Sequence, residues 1–390
     1  MRKWLAGISS FLLLFTGFNN MAFSSEIPLK EKIGQMLLIG FKGMELKDGD
    51  PIVTAILNHE VGGVILFDYD FPTKTFEHNI KSPAQLKKLT AQLQEYNRQA
   101  QHQNTDFYPL LIGLDYEGGK VNRLKENYGF PKTLSAADLG ALPLDEANKY
   151  AEQMATTLQA NGINLNFAPV IDVNVNPESP VIGKIGRSFS GNPTVVSDYA
   201  ALFARAYDQH NVLCSYKHFP GHGSATGDSH LGFVDVTATW QPGELEPYKI
   251  LFQQAHSCSM VMTAHVVHYG LDNQGYPASL SYAITTKLLR EDLKFQGAII
   301  TDDLQMKAVT DNYGVAEAVK LAVNAGADIL VFGNMLADPQ DPKEIIEIIY
   351  QDVQKGEIAE SRINDAYQHV MQLKAQLRKT RQTQRKTAVI

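Results

Sequence analysis

Eight short runs of the chain are almost continuously apolar. They are "GQMLLIGF" (34–41), "VGGVILF" (61–67), "PLLIGLD" (109–115), "INLNFAPVIDV" (163–173), "VLCSYKHF" (212–219), "SMVMTAHV" (259–266), "GAIITDD" (297–303) and "ADILVFG" (327–333). A strand with one wet face alternates apolar and polar residues; a strand covered on both faces reads as an unbroken apolar run. Between the runs the apolar positions recur with helical spacing. "SPAQLKKLTAQLQEYNRQAQ" predicts a helix with Ser82 as N-cap and Pro83 in its first turn, and "DEANKYAEQMATTLQANG" predicts one that stops at Gly162. Further helical patterns lie near 193–210, 243–256, 281–293, 315–325 and 342–375. Eight buried strands alternating with helices predict an α/β fold, a (β/α)8 TIM-type barrel, as a single catalytic domain over residues 26–375. A doubly wound open sheet is the runner-up, but no G-x-G-x-x-G follows the first strand.

The ends of the chain follow other rules. Arg2 and Lys3 precede "WLAGISSFLLLFTGF" (4–18), and Ala22-Phe23-Ser24 places small residues where a signal peptidase reads. This pattern predicts a cleaved secretory signal over residues 1–24 and a periplasmic or secreted mature protein. The apolar run is shorter than the ~20 residues needed to span a bilayer, which argues against a stable membrane anchor. At the other end, "KTRQTQRKTAVI" is basic and lacks periodicity, so residues 376–390 are expected to be a solvated, disordered tail.

Composition adds little beyond exclusions. With 44% hydrophobic and 20% charged residues in 390, a sizeable core is expected. A net charge of -7 gives no general attraction to nucleic acid or anionic lipid. Cys214 and Cys258 each border an apolar run; they either pair, as an exported protein permits, or stay buried as free thiols, and their spacing is not that of a metal site.

Polar residues collect at the C-terminal ends of the apolar runs: Asp115, Asp172, Lys217, His218, His265, Asp302 and Asp303. That is the catalytic face of a parallel barrel. The densest stretch is "KHFPGHGSATGDSH" (217–230). A metal reading would use His218, His222, His230, His265 and Asp302, but the H-x-H pair of barrel zinc sites is missing. His265 and His268, three apart on a strand, would point to opposite faces. A phosphate cradle would rest on Gly221 and Gly223 without the G-x-x-x-x-G-K-[ST] pattern, so those glycines fit a tight loop beneath a ligand instead. The third reading is acid/base work. Asp228 lies two residues before His230, on the same side of an extended loop, where it can fix the tautomer and raise the proton affinity of the other ring nitrogen.

The stretches "GLDYEGGKVNR" (113–123), "NFAPVIDV" (166–173), "IGRSFS" (185–190), "KHFPGHGSATGDSH" (217–230), "VMTAHV" (261–266) and "ITDDLQM" (300–306) together resemble glycoside hydrolase family 3, in its single-domain β-N-acetylglucosaminidase branch. The resemblance implies a retaining hydrolase of terminal β-linked N-acetylglucosamine in cell-wall fragments or chitin oligosaccharides, working without metal or cofactor, as a monomer. Carried over by motif, Asp302 is the nucleophile, and His230, polarised by Asp228, is the acid/base. Asp115, Arg123, Arg187, Lys217 and His218 are implied sugar contacts. His222 reads as a loop-structuring residue, and Asp172 and Asp303 as hydrogen-bond supports. Glu117 is expected to hold Arg123 or a backbone turn and stays outside the site. A β-glucosidase or phosphorylase of the same family is the alternative, with a metal-dependent barrel hydrolase or a non-catalytic sugar-binding barrel behind it. The segment "DYDFPTKTFEHNIKSP" (68–83) is longer than the link expected after the second strand and belongs to the catalytic face.

Overall fold

The computed structural model describes residues 27–71, 73–101 and 108–387, with side chains as far as 377. The expected signal segment lies outside these residues. Eight parallel strands close into a barrel in chain order. They are β1 (Leu37–Gly40), β2 (Gly63–Ile65), β3 (Leu111–Leu114), β4 (Leu165–Asn166), β5 (Leu213–Phe219), β6 (Met260–Thr263), β7 (Ala298–Asp303) and β8 (Ile329–Phe332). Closure comes from β1 pairing with β8, Leu38 opposite Val331. The (β/α)8 expectation holds, and each apolar run contains its strand.

Period-two alternation within each strand sorts the side chains into two cores. Leu38, Ile65, Leu111, Leu165, Met260, Ile300 and Val331 fill the barrel interior, while Leu37, Ile39, Val64, Ile112 and Ile299 pack outward beneath the helices. Both faces are therefore dry, which is why the runs read as continuous. The helix Pro83–Ala100 begins as expected: Ser82 Oγ accepts from Gln85 N, and Leu86, Leu89 and Leu93 form its buried stripe. The helix Leu144–Ala160 stops before Gly162, whose φ is 73°.

The C-terminal region departs from expectation. The pattern over 342–375 is two helices, Pro342–Gln354 and Glu360–Thr387, separated by a turn in which Gly356 has φ 76°. The second helix runs past the boundary expected at 375. Its Val370, Leu373 and Leu377 belong to the same cluster as the barrel interior, so this helix closes the bottom of the barrel. Leu377 is 2% exposed, and a tail starting at 376 cuts through a buried turn. The basic composition hid these apolar positions at helical spacing.

Cys214, on β5, is disulfide-bonded to Cys258, just before β6. Of the two alternatives left open by the sequence, pairing is the one found.

Lys374 lies on the same closing helix, 2% exposed, with Nζ donating to Gln35 Oε1 at 2.6 Å. Burial pulls its pKa down to about 7. The unfolded chain holds that proton up to about pH 10.4, so unfolding takes up a proton through the interval between, and stability falls as pH drops from 10 toward 7. Lys374→Met should abolish this slope and stabilise the protein at neutral pH by roughly 1–4 kcal/mol. Urea unfolding at pH 7 and pH 9.5 measures both effects; an unchanged slope would show that Lys374 is not its source.

Candidate active site

The C-terminal strand ends assemble a desolvated polar network. β5 contributes two successive residues, Lys217 and His218, because its ladder with β6 shifts register between Val261 and Thr263. Lys217 Nζ lies 2.8 Å from Asp115 Oδ1 and 2.7 Å from Glu117 Oε1. Arg123 Nη2 reaches the other oxygen of Asp115 at 3.1 Å. Arg187 grips Glu117 with two parallel bonds of 2.8 Å. Burial alone would raise Asp115 and Glu117, but the surrounding cations outweigh it and hold both carboxyls below their ordinary values. Burial works against the Lys217 ammonium too, and Asp115 and Glu117 reverse that, raising its pKa.

Glu117 is the residue the sequence reading misplaced. It does not hold Arg123; it joins Arg187 to Lys217. Its spacing two residues after Asp115 was the available signal.

Asp172 is the second centre. Fully buried, it accepts from His218 N at 3.2 Å, His218 Nδ1 at 2.6 Å and His222 N at 2.8 Å. Arg187 Nη2 donates to His218 Nε2 at 3.2 Å, so the His218 proton sits on Nδ1 toward Asp172. His222 is 3% exposed, with Nε2 3.3 Å from Ser229 Oγ, and burial followed by the neighbouring His218 pushes its pKa down to about 4. Its place is inside the loop, tying the start of the 217–230 stretch to its end. Gly223 permits that path: a Cβ there would meet Val173 O at 1.7 Å. Among the described residues, no group of three or more His, Cys, Asp or Glu is set to hold a metal ion.

Asp228 and His230 meet, though not through an extended segment. Leu231 N donates to Asp228 O at 3.0 Å, closing a turn. Asp228 Oδ1 then accepts from both His230 N at 2.9 Å and His230 Nδ1 at 2.8 Å. The other ring nitrogen is left for the barrel mouth, where the side chain is half exposed. Partial burial lowers the His230 pKa, but Asp228 and then Asp302 more than offset it, and the net shift is upward.

Asp302 and Asp303 end β7. Asp302 feels burial, which would raise its pKa, and the histidines 265, 218 and 230, which together bring it below the ordinary value. His265 is held between Ser279 Oγ at 2.6 Å and Asp303 O at 2.9 Å. His268 instead stands edge-on to Trp240, so the two histidines part as their spacing suggested.

The long segment after β2 is a ribbon, Tyr69–Asp70 paired with Thr75–Phe76. At its base Asp68 is fully buried, 2.6 Å from Lys125 Nζ and 3.8 Å from Arg123 Nη1. Sequence reasoning missed Asp68, which lies one residue beyond the apolar run.

This geometry places all eight expected site residues around one mouth. The family profile described as "Glycosyl hydrolase family 3 N terminal domain" matches residues 28–373. The chain belongs to glycosyl hydrolase family 3. A β-hexosaminidase A of Pseudoalteromonas piscicida is 31% identical over 91% of this chain and 63% of that protein. A β-hexosaminidase of Neisseria meningitidis is 33% identical over 72% of this chain and 73% of its own length. Among solved structures, a family 3 β-N-acetylglucosaminidase from Paenibacillus sp. superposes with a TM-score of 0.79 at 34% identity, covering 90% of this chain and 63% of that one. The chain thus spans under two thirds of the length of the first and last of these family 3 proteins.

The Asp228 contact has a direct readout. Asp228→Asn removes the anion whose bond and charge raise His230, so the His230 pKa should fall by about one unit or more. An NMR titration of the imidazole protons tests this; an unmoved midpoint would mean that Asp228 orients the ring without charging it.

Proposed function

We propose that this protein is an exported, retaining β-N-acetylglucosaminidase that removes terminal β-linked N-acetylglucosamine from cell-wall fragments or chitin oligosaccharides. The observation that carries the reading is the division of protonation states across the mouth. Asp302 is biased toward the carboxylate, and His230, braced by Asp228, is biased toward the protonated ring. A retaining glycosidase needs that pair: an anionic nucleophile and a proton donor. The names carried by the related family members supply the sugar class.

The chemistry then runs in two steps. Asp302 attacks C1 while His230 delivers its proton to the departing glycosidic oxygen. A bond forms between the carboxylate and C1, and the C1–O bond to the leaving group breaks. His230, now neutral, takes a proton from water, whose oxygen displaces Asp302 from C1 and restores the original anomer. Asp115 accepts from sugar hydroxyls, and Arg123, Arg187, Lys217 and His218 complete the grip around the ring. Their mutual ion pairs hold these side chains in place before substrate arrives.

Export is supported by two independent features. The basic and apolar pattern of residues 1–24 is one. The Cys214–Cys258 disulfide is the other, since such bonds persist in oxidising compartments. Sequencing the N-terminus of protein taken from the extracytoplasmic fraction should find a new end near Ser25 and no free thiol. An intact Met1 in the cytosol would overturn export.

The activity is tested with aryl β-glycosides of N-acetylglucosamine and glucose, with and without phosphate. Hydrolysis of the N-acetylglucosaminide without phosphate is expected; preference for glucose, or dependence on phosphate, would overturn the reading. A fluoro-glycoside inactivator should label Asp302. His230→Ala should lower chitobiose cleavage by about 10²–10⁴-fold yet slow glycosyl-enzyme formation from a dinitrophenyl glycoside far less. Equal losses on good and poor leaving groups would remove His230 from the acid/base role.

A further inference from the structure

Two buried polar atoms beside the sugar network lack a partner. Asp68 is 0% exposed, and its Oδ1 accepts no hydrogen bond from any described residue. Arg123 Nε is likewise buried without an acceptor. The rest of both side chains is committed. Asp68 Oδ2 takes Lys125 Nζ at 2.6 Å and Tyr128 Oη at 3.2 Å; Arg123 Nη2 takes Asp115 at 3.1 Å, and its guanidinium lies over the Phe67 ring. Asp68 Oδ1 stands 3.8 Å from Arg123 Nη1, too far for a hydrogen bond. A buried carboxylate oxygen left in that state is costly, and an acceptor beside a donor is what a hydroxyl satisfies in one contact.

The position in the barrel says which hydroxyl. Asp115 follows β3, four strands from β7 in a closed ring of eight, so it faces Asp302 across the mouth. A pyranose whose C1 meets Asp302 turns its opposite end, C4 with the C6 arm, toward Asp115 and Arg123. Asp68 lies directly behind them, and the ribbon Tyr69–Phe76 closes that side, with Lys125 pinned over the Phe76 ring at 4.5 Å.

We propose that Asp68, with Arg123, forms a distal subsite that reads the 4- or 6-hydroxyl of the terminal sugar, making Asp68 a specificity-determining residue of the ribbon after β2. The inference rests on the hydrolase reading above, which sets the direction of the sugar. A hydroxyl donates to Asp68 Oδ1 and accepts from Arg123; no bond is made or broken. A sugar lacking that hydroxyl leaves the carboxylate oxygen unpaired, and the site rejects it.

The test pairs the enzyme with substrate analogues. Nitrophenyl β-N-acetylglucosaminide and its 4-deoxy and 6-deoxy forms are hydrolysed by the wild type, Asp68→Ala and Asp68→Asn. One deoxy substrate should lose roughly 10- to 100-fold in kcat/KM with the wild type, as expected for a hydrogen bond to a charged group. Asp68→Ala should lose a similar factor on the parent and be nearly indifferent to that same deletion. Asp68→Asn keeps the volume and should behave alike, with melting temperatures confirming both folds. Equal deoxy penalties in wild type and variants, or no wild-type penalty on either analogue, would overturn the subsite. A wild-type protein inert on the parent glycoside would sink the hydrolase reading itself, and the subsite with it.

Discussion

The site depends on one arrangement: a lysine ammonium, 3% exposed as a side chain, held between two carboxylates. Lys217, Asp115 and Glu117 have each left water, a cost of several kcal/mol per ion that mutual attraction must repay. Repayment requires geometry, and the geometry recruits Arg123 and Arg187 as outer cations. Arg187 in turn donates to His218, and His218 to Asp172, which also holds the backbone of His222. One ion triad therefore ties together the ends of β3, β4 and β5 and the start of the loop that carries His230. Such a network contributes little net stability, because a packed apolar core would fold as well. Its yield is a set of donors and acceptors already aimed before a ligand arrives, which costs no reorganisation when one binds.

The barrel was legible because its strands are dry on both sides, and nothing but a continuous apolar run fits there. Strand length was not. The run 163–173 contains a strand of only two residues, Leu165–Asn166; the apolar residues beyond it bury in the loop that carries Asp172. Helix ends were readable where a cap was present, as at Ser82, and unreadable where one helical period ran through a turn, as at Gly356. The C-terminal helix was misread for a different reason. Lys and Arg dominate its exposed faces, and composition outvoted the spacing of Val370, Leu373 and Leu377.

The site divides in the same way. Residues named by motif, such as Asp302 and His230, were found because the motif is dense. Glu117 and Asp68 were not, since their importance lies in which cations reach them, and those cations come from elsewhere in the chain: Arg187 from the loop after β4, Lys125 from the loop after β3. Pairing across such distances leaves no local mark. Asp228 and His230 were paired correctly for an incomplete reason: a turn, not an extended chain, brings them together, and one carboxylate oxygen takes both the ring and the backbone of His230.

The two adjacent aspartates that end β7 show how far environment decides chemistry. Asp302 and Asp303 have the same side chain and neighbouring backbones, and both are shielded from water. Burial raises both, yet Asp302 ends below its ordinary value and Asp303 is pushed up to about 6. The difference is in what faces each one. Asp302 looks onto three histidines, whose positive character favours its anion. Asp303 turns its Oδ1 to the backbone N–H groups of Gln305 and Gly333, dipoles that offset only part of the burial, and the charge of Asp302 beside it opposes a second anion. Two carboxylates this close cannot both ionise cheaply. The protein resolves the conflict by giving the histidines to one and the strand ends to the other. Asp303 thereby keeps β7 registered against β8, its carbonyl fixes His265, and His265 is the first of the groups that hold Asp302 in its charged form.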